Sequence, residues 1–434
     1  MPENWAENLV DGHRTFPVLL ADLAAARASL HVSIFLFFND PVGQEIERIL
    51  CEKVRAGVAV RVLVNVAKSE MGDPFSTGER EMMEQVPSFT QDAMDVDALV
   101  ARLRDAGAAV YDSNADFEAE VRTRDPALLE QRERVSKTSR MDAAHVDHRK
   151  LVTIDGRVAY CGSANFGAQY LFLHPFDPAV EAKEEARRAL EMGGPEPWWK
   201  WHDGLVRFEG PVVAELDHAF RERWVLDGGA EYPEATPVPA GPAPRGVPVD
   251  RITVHKNQPD STPNAVRRLF LDLNAAAEES IFIENPYVYH PAIIEALVAA
   301  RRARPSLQVD LVVPGMAWND NEHAQDAMQH HYGALLAAGV RVYEYQNHFT
   351  HLKLAAFDGR SAIVGSANLN FRSLEDDVDF ELVAHVEGEA FAREVLRVRD
   401  ADVPASREIT AADLSWRERL RDPRTLLLVS RRLL

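Results

Sequence analysis

His148-Arg149-Lys150-Leu151-Val152-Thr153-Ile154-Asp155-Gly156 is followed, a few residues on, by Gly162-Ser163-Ala164-Asn165. The arrangement recurs as His351-Leu352-Lys353-Leu354-Ala355-Ala356-Phe357-Asp358-Gly359 and Gly365-Ser366-Ala367-Asn368, with the same internal spacing. Two in-register copies of one His/Lys/Asn set imply a duplicated chain. In the first copy the β-prone runs 151–154 and 158–161 flank Asp-Gly, a strong short-range hairpin signal. Side chains at i and i+2 share one face of a strand, so His148 and Lys150 point together, as do His351 and Lys353. Ser163 and Asn165 share a parity on leaving the returning strand and can face the same ground; Ser366 and Asn368 repeat this. Asp155 and Asp358 fall at the turns and are assigned a structural, turn-forming role.

Outward from these blocks the chain reads as the same series of elements twice. Before the first block come a helical pattern, Phe16 to Ala28, and the apolar strand Leu30 to Phe38. A helix from Val42 to Arg55, a strand from Val58 to Asn65, a helix at Asp97–Ala106 and a strand at Ala108–Tyr111 follow. Before the second block the order is helix Asn264–Ala277, strand Ser280–Tyr287, helix Ala292–Arg302, strand Leu307–Val313 and strand Val340–Tyr343. Strands alternating with helices indicate α/β repeats with mixed sheets. The expected organisation is a first repeat over 1–230, a Pro/Gly/Ala-rich linker over 231–249 and a second repeat over 250–434, ending in a basic tail. A charged insert, 112–144, precedes His148 and has no counterpart before His351. It reads either as a lid or as a solvated excursion.

Bulk composition narrows the function classes. Hydrophobic residues at 46% and charged residues at 27% describe a globular chain with a sizeable core. The net charge of −20 works against extended binding along nucleic acid and against broad attraction to anionic lipid. Any membrane contact must therefore be local. No apolar run of spanning length and no signal-peptide pattern is found, so a cytoplasmic chain is expected. The basic, apolar tail from Trp416 to Leu434 reads either as a docked helix or as a peripheral contact with the inner face of the membrane. Cys51 and Cys161 are read as small buried side chains, not as a disulfide. His145 and His148 lack cysteine partners and a matching element in the second repeat, so no metal site is assigned there. His323, His330 and His331 are read as a solvated helix face.

The His/Lys/Asn sets suit chemistry at a phosphodiester. Such a reaction needs a nucleophile, a proton donor for the leaving alkoxide, and cationic or amide groups for the non-bridging oxygens. One set is half of that requirement; two sets meeting at the junction of the repeats complete it without a metal or other cofactor. Because the chain carries both halves, no obligate protein partner is implied. Alignment on Gly210 and Gly388 places Asp203 of Trp201-His202-Asp203 opposite Glu381 of Asp379-Phe380-Glu381. A carboxylate on an imidazole Nδ1 fixes the tautomer, and both are assigned that supporting role.

These residues resemble the phospholipase D superfamily, whose signature is His-x-Lys-x4-Asp followed by Gly-Ser/Gly-x-Asn, twice per active site. Trp201-His202-Asp203, Arg207 to Val213, Leu335 to Tyr345 and Gly365 to Ser373 are similar to its cardiolipin synthase branch. The resemblance implies two tandem α/β sandwich repeats related by a pseudo-two-fold axis around one shared active site. It further implies a phospholipid substrate and a phosphohistidine on one of His148 and His351, with the other as acid and then base. The precedent favours His148 as nucleophile. Lys150, Lys353, Asn165 and Asn368 would bind phosphate, with Ser163, Ser366, Asp155 and Asp358 in support. The implied activity is phosphatidyl transfer or hydrolysis; the alternative is a phosphodiesterase or nuclease of the same superfamily.

Overall fold

The computed structural model describes residues 3–66, 96–113, 146–170, 201–233, 243–258, 264–316, 319, 321–375 and 379–417. The first sheet is built from β1 (Asn4–Val10), β2 (Ser29–Ile34), β3 (Ala59–Val64), β4 (Ala109–Asp112), β5 (Leu151–Ile154) and β6 (Val158–Gly162). After β7 (Trp201–His202), which lies outside it, β8 (Gly204–Glu209) and β9 (Val247–Val249) complete the eight strands, in the order β4-β3-β2-β5-β6-β8-β1-β9. The second sheet uses β10 (Arg251–Asn257), β11 (Ser280–Glu284), β12 (Gln308–Pro314) and β13 (Arg341–Tyr345). β14 (Phe349–Thr350) stands apart, and β15 (Leu354–Phe357), β16 (Ser361–Gly365), β17 (Glu381–Glu387) and β18 (Ser406–Ile409) complete it. Its order, β10-β17-β16-β15-β11-β12-β13-β18, contains the first sheet's series read from the other end. In each, three parallel strands continue into an antiparallel hairpin that carries the His/Lys motif.

Helices cover both sheets. α1 (Gly12–Ala25), α2 (Pro41–Arg55) and α3 (Val96–Ala106) close a core over the first sheet around Phe16, Leu19, Ile46, Leu50 and Leu99. α4 (Val212–Leu226) follows β8. α5 (Ala265–Ala276), α6 (Pro291–Ala303) and α7 (Glu322–Ala338) close the equivalent core over the second sheet. The short α8 (Phe371–Leu374), then α9 (Glu389–Asp402) and α10 (Ala411–Arg417), complete the chain's described helices. A third core joins the repeats: Leu63, Ala159, Phe208 and Phe220 of the first pack with Phe282, Val312, Leu354 and Val364 of the second. The fold is thus helix, sheet, shared core, sheet, helix.

Local chemistry explains where elements start and stop. Asp40 caps α2, its carboxylate accepting from the N–H groups of Val42 and Gly43, with Pro41 at the first helical position. Asn264 caps α5 in the same way through the Arg267 N–H. The first helix ends at Ala25 and not at Ala28 as the periodicity suggests. The reason is Asp155, whose carboxylate accepts from the N–H groups of Arg27, Ala28 and Ser29 and so takes donors that a longer helix would need. Residues 4–10 form an edge-region strand on β8 and β9 that sequence patterning does not announce. Within the stretch expected as linker, Val247–Val249 adds to β1, so the first sheet extends to within two residues of β10.

Candidate active site

Each motif histidine is delivered by a strand that pairs with the opposite repeat. The residues before His148 run parallel to the segment at Phe380, with His148 N–H donating to the Phe380 carbonyl (3.0 Å) and Phe380 N–H to the Val146 carbonyl (2.9 Å). In the mirror arrangement β14 pairs parallel with β7, and His351 N–H donates to the His202 carbonyl (2.8 Å). These short ladders hand each histidine to a carboxylate from the other half. His148 Nδ1 donates to Glu381 Oε1 at 2.9 Å, and His351 Nδ1 donates to Asp203 Oδ2 at 2.7 Å. The pairing is crosswise, and the equivalence of Asp203 and Glu381 read from the aligned glycines holds in space.

The serines of the Gly-Ser-Ala-Asn turns complete these carboxylates. Ser163 Oγ donates to Asp203, which also accepts the Gly204 N–H (2.8 Å). Ser366 Oγ donates to Glu381, whose Oε1 takes a further bond from Ser373 Oγ (2.5 Å). Ser373 lies outside the repeated His/Lys/Asn signature, and at the same offset the first repeat has Tyr170, whose hydroxyl meets Asn165. Lys150 Nζ donates to the His148 carbonyl (2.6 Å), and Lys353 Nζ donates both to the His351 carbonyl (2.9 Å) and to His351 Nε2 (2.8 Å). Arg149, between His148 and Lys150, faces the other way and is held by Asp147 through two bonds of 2.7 Å.

The two asparagines differ. Asn165 Oδ1 accepts from Leu36 N–H (3.1 Å) and its amide nitrogen donates to the Tyr170 hydroxyl (2.8 Å). Asn368 Oδ1 is buried with no hydrogen-bond partner among the described residues. Asp155 and Asp358 are remote from the imidazoles. Each occupies a left-handed turn position (φ 55° and 53°) and accepts three consecutive backbone N–H groups, Asp358 those of Glu278, Glu279 and Ser280.

Aromatic rings wall the site. Phe35 meets His148 edge-on with centroids 5.0 Å apart, and Trp201 lies 4.9 Å and Phe349 5.8 Å from His351. Burial, with Lys150 next, lowers His148 to about 4 against the opposing pull of Glu381. Burial and the charges of Lys353, Lys150 and His148 put His351 well below its usual value. Charges of the first repeat's set thus act on the imidazole of the second. Burial brings Lys150 down to about 8. Burial lifts Asp203 to about 7 despite Lys353; it pushes Glu381 up as well, but His148, Lys150 and Ser366 outweigh it and hold Glu381 below its ordinary range.

A cavity of about 480 Å³ is lined by Arg149, Arg221, Arg223, Tyr232 and Phe380 among others, and none of the six motif His, Lys and Asn residues lines it. The imidazoles themselves are nearly buried. Of the histidines read as a solvated helix face, His330 is exposed, whereas His323 and His331 are half-buried on α7. His145, the insert over 114–144 and the tail over 418–434 lie outside the described residues.

The sequence model of the family described as cardiolipin synthase, PLD-like domain, matches residues 19–184 and 271–402, the bulk of both repeats. The chain belongs to this family. Among its relatives, cardiolipin synthase A of Pseudomonas fluorescens is 26% identical over 422 residues, covering 97% of this chain and 73% of the relative. The major cardiolipin synthase of Bacillus subtilis is 26% identical over 415 residues, covering 94% and 70%. Among solved structures, phosphatidylserine synthase of Haemophilus influenzae superposes with a TM-score of 0.62 at 14% identity, over 98% of this chain and 92% of that one. That likeness is one of fold, and it spans the tandem arrangement of this PLD-like family member.

Proposed function

We propose that the chain is a phosphatidyltransferase of the phospholipase D superfamily, acting on a phospholipid through a phosphohistidine at His148. The reading is carried by the crosswise pairs: each imidazole presents Nδ1–H to a buried carboxylate, which leaves Nε2 as the nitrogen for chemistry. Nε2 of His148 makes no hydrogen bond among the described residues, whereas Nε2 of His351 accepts from Lys353. At neutral pH His148, lowered to about 4, is an uncharged nucleophile that the diester does not hold in an ion pair.

In the first step His148 Nε2 attacks phosphorus, the bond to the leaving alcohol oxygen breaks, and His351 in its protonated form gives that oxygen a proton. Burial, then the charges of Lys353 and Lys150, keep His351 neutral in the free site, and the negative diester arriving between the sets offsets those charges. In the second step an acceptor hydroxyl passes its proton to His351 and its oxygen attacks phosphorus, breaking the P–N bond and freeing His148. Lys150, Lys353 and Asn368 stabilise the non-bridging oxygens as charge gathers on them, and Asn165 anchors the turn beneath them. The relatives' names make phosphatidylglycerol the first substrate to test, with water, glycerol or a second phosphatidylglycerol as acceptor.

The experiment is incubation with phosphatidylglycerol vesicles, with and without ethanol, followed by lipid analysis. Phosphatidylethanol and cardiolipin or phosphatidic acid are expected, and each is lost in His148→Ala and His351→Ala. Cleavage of oligonucleotides with no lipid turnover would move the chain to the nuclease reading. We further propose peripheral contact with the membrane through the tail. Among the described residues no helix is long and apolar enough to cross a membrane. Removing 416–434 should lower co-sedimentation with the same vesicles, and unchanged co-sedimentation removes the tail from the account.

A further inference from the structure

His202, Glu284 and Asp402 meet where the repeats join, outside the His/Lys/Asn sets. One ligand atom from each lies within 4.8 Å of the others, and all three residues are buried. His202 belongs to β7 of the first repeat; Glu284 ends β11 and Asp402 ends α9 of the second. His202 Nδ1 is 2.7 Å from Asp11 Oδ1, and its Nε2 is 3.1 Å from Asp402 Oδ2. Glu284 Oε1 accepts the Thr350 hydroxyl, while its Oε2 is buried with no hydrogen-bond donor, in a residue with 0% exposure. Three carboxylates therefore gather around one imidazole, and one oxygen of Glu284 is buried there without a hydrogen-bond donor, beside the like charge of Asp402.

We propose that His202, Glu284 and Asp402 bind one divalent transition-metal ion, zinc in class, which clamps the repeats together behind His351. An imidazole that gives one N–H to a carboxylate and turns its other nitrogen toward two more is the arrangement of a metal-ligating histidine with its outer carboxylate. Asp11 is that outer partner. Bonds of about 2.0–2.2 Å to one ion hold three donors roughly 3–3.6 Å apart, a range compatible with the observed grouping. The imidazole ligand selects a borderline ion over calcium or magnesium, which prefer all-oxygen shells. Binding leaves the Nδ1 proton on His202 and releases to water any proton held at Nε2 or between Glu284 and Asp402. The ion neutralises buried acid charge that would otherwise require a shared proton.

Its consequence reaches the motif without touching phosphorus. The His202 carbonyl accepts the His351 N–H, and the next residue, Asp203, holds His351 Nδ1. The ion is thus a positioning element for the second imidazole.

The test uses untagged full-length protein. Elemental analysis should find one zinc per chain; stripping with dipicolinate should lower Tm, and Zn2+ alone should restore it. Adding Co2+ to the stripped protein should produce visible d–d bands. Glu284→Gln and Asp402→Asn should each lose zinc and the Co2+ bands. The proposal is overturned by equal Tm with and without Zn2+ and no Co2+ spectrum in the stripped wild type, or by an unaltered Co2+ spectrum in Glu284→Gln. A Glu284→Gln protein that binds no metal yet matches the Tm of metal-free wild type supports the site, because glutamine keeps the Thr350 contact and removes only the ligand. If a variant fails to fold, the wild-type Tm and Co2+ spectrum decide.

Discussion

His148 and Lys150 are shifted in ways that bracket the working range of the enzyme. Activity requires the imidazole uncharged and the ammonium charged. With His148 lowered to about 4 and Lys150 to about 8, kcat/KM should rise as pH climbs through about 4 and be lost by about 8, with the fall starting earlier as the proton His351 must give is lost. An acid limb at the ordinary imidazole value near 6.5 would count against a buried, neutral nucleophile. Stability follows the same group. A histidine whose folded pKa lies below its unfolded one contributes stability that is complete above about 6.5 and lost as pH falls toward about 4. The urea midpoint should drop across that window, and His148→Gln should flatten the drop. Replacing Glu381 by Gln removes the acceptor that fixes the His148 tautomer. The expected loss is on the order of a hundredfold or more in kcat, with KM little changed, read from steady-state lipid turnover.

The motif hairpins are elements whose turns do more than reverse the chain. Asp155 and Asp358 stand at the hairpin turns, and each carboxylate grips the loop between a helix and the next parallel strand. That contact joins residues far apart in the chain, so local patterning could not reveal it. Asp155→Ala leaves three backbone donors without their acceptor and puts alanine at φ 55°, for a loss of about 2–4 kcal/mol by urea denaturation. Asp155→Asn tolerates the left-handed turn and keeps one acceptor oxygen, so it should lose clearly less. If both variants unfold at the wild-type midpoint, the grip contributes nothing. Helix and strand order was legible because each apolar run carries its own period and stop. The strand at 4–10 was not, since its burial alternates irregularly and its partners lie two hundred residues downstream.

For the whole molecule, each half supplies the carboxylate that completes the other half's histidine, and one apolar core is shared between them. Residues 1–233 and 243–434 produced separately should each be inactive, since neither contains an oriented imidazole. Co-expressed, they should associate and recover turnover, because the sheet-edge pairing of Val247–Val249 with β1 and the shared core survive the cut. Activity in either half alone, measured after size-exclusion chromatography, would contradict a composite site. Truncating a shared-core residue should act on this association: Leu354→Ala is expected to lose about 2–5 kcal/mol of stability.

From its residues alone this chain declares a duplicated α/β repeat, the His, Lys, Asn and Ser that each copy carries, and the equivalence of Asp203 with Glu381. Those features are local or periodic, and the physics of strands, turns and side-chain parity acts on near neighbours. Only the tertiary structure decided that the carboxylates cross over, that Lys353 and not Lys150 occupies an imidazole nitrogen, and that Asn165 is spent on Leu36 and Tyr170. The gathering of His202, Glu284 and Asp402 belongs with them. Each depends on how two sheets pack across a common core, and packing brings together residues whose separation along the chain carries no information about their distance in space.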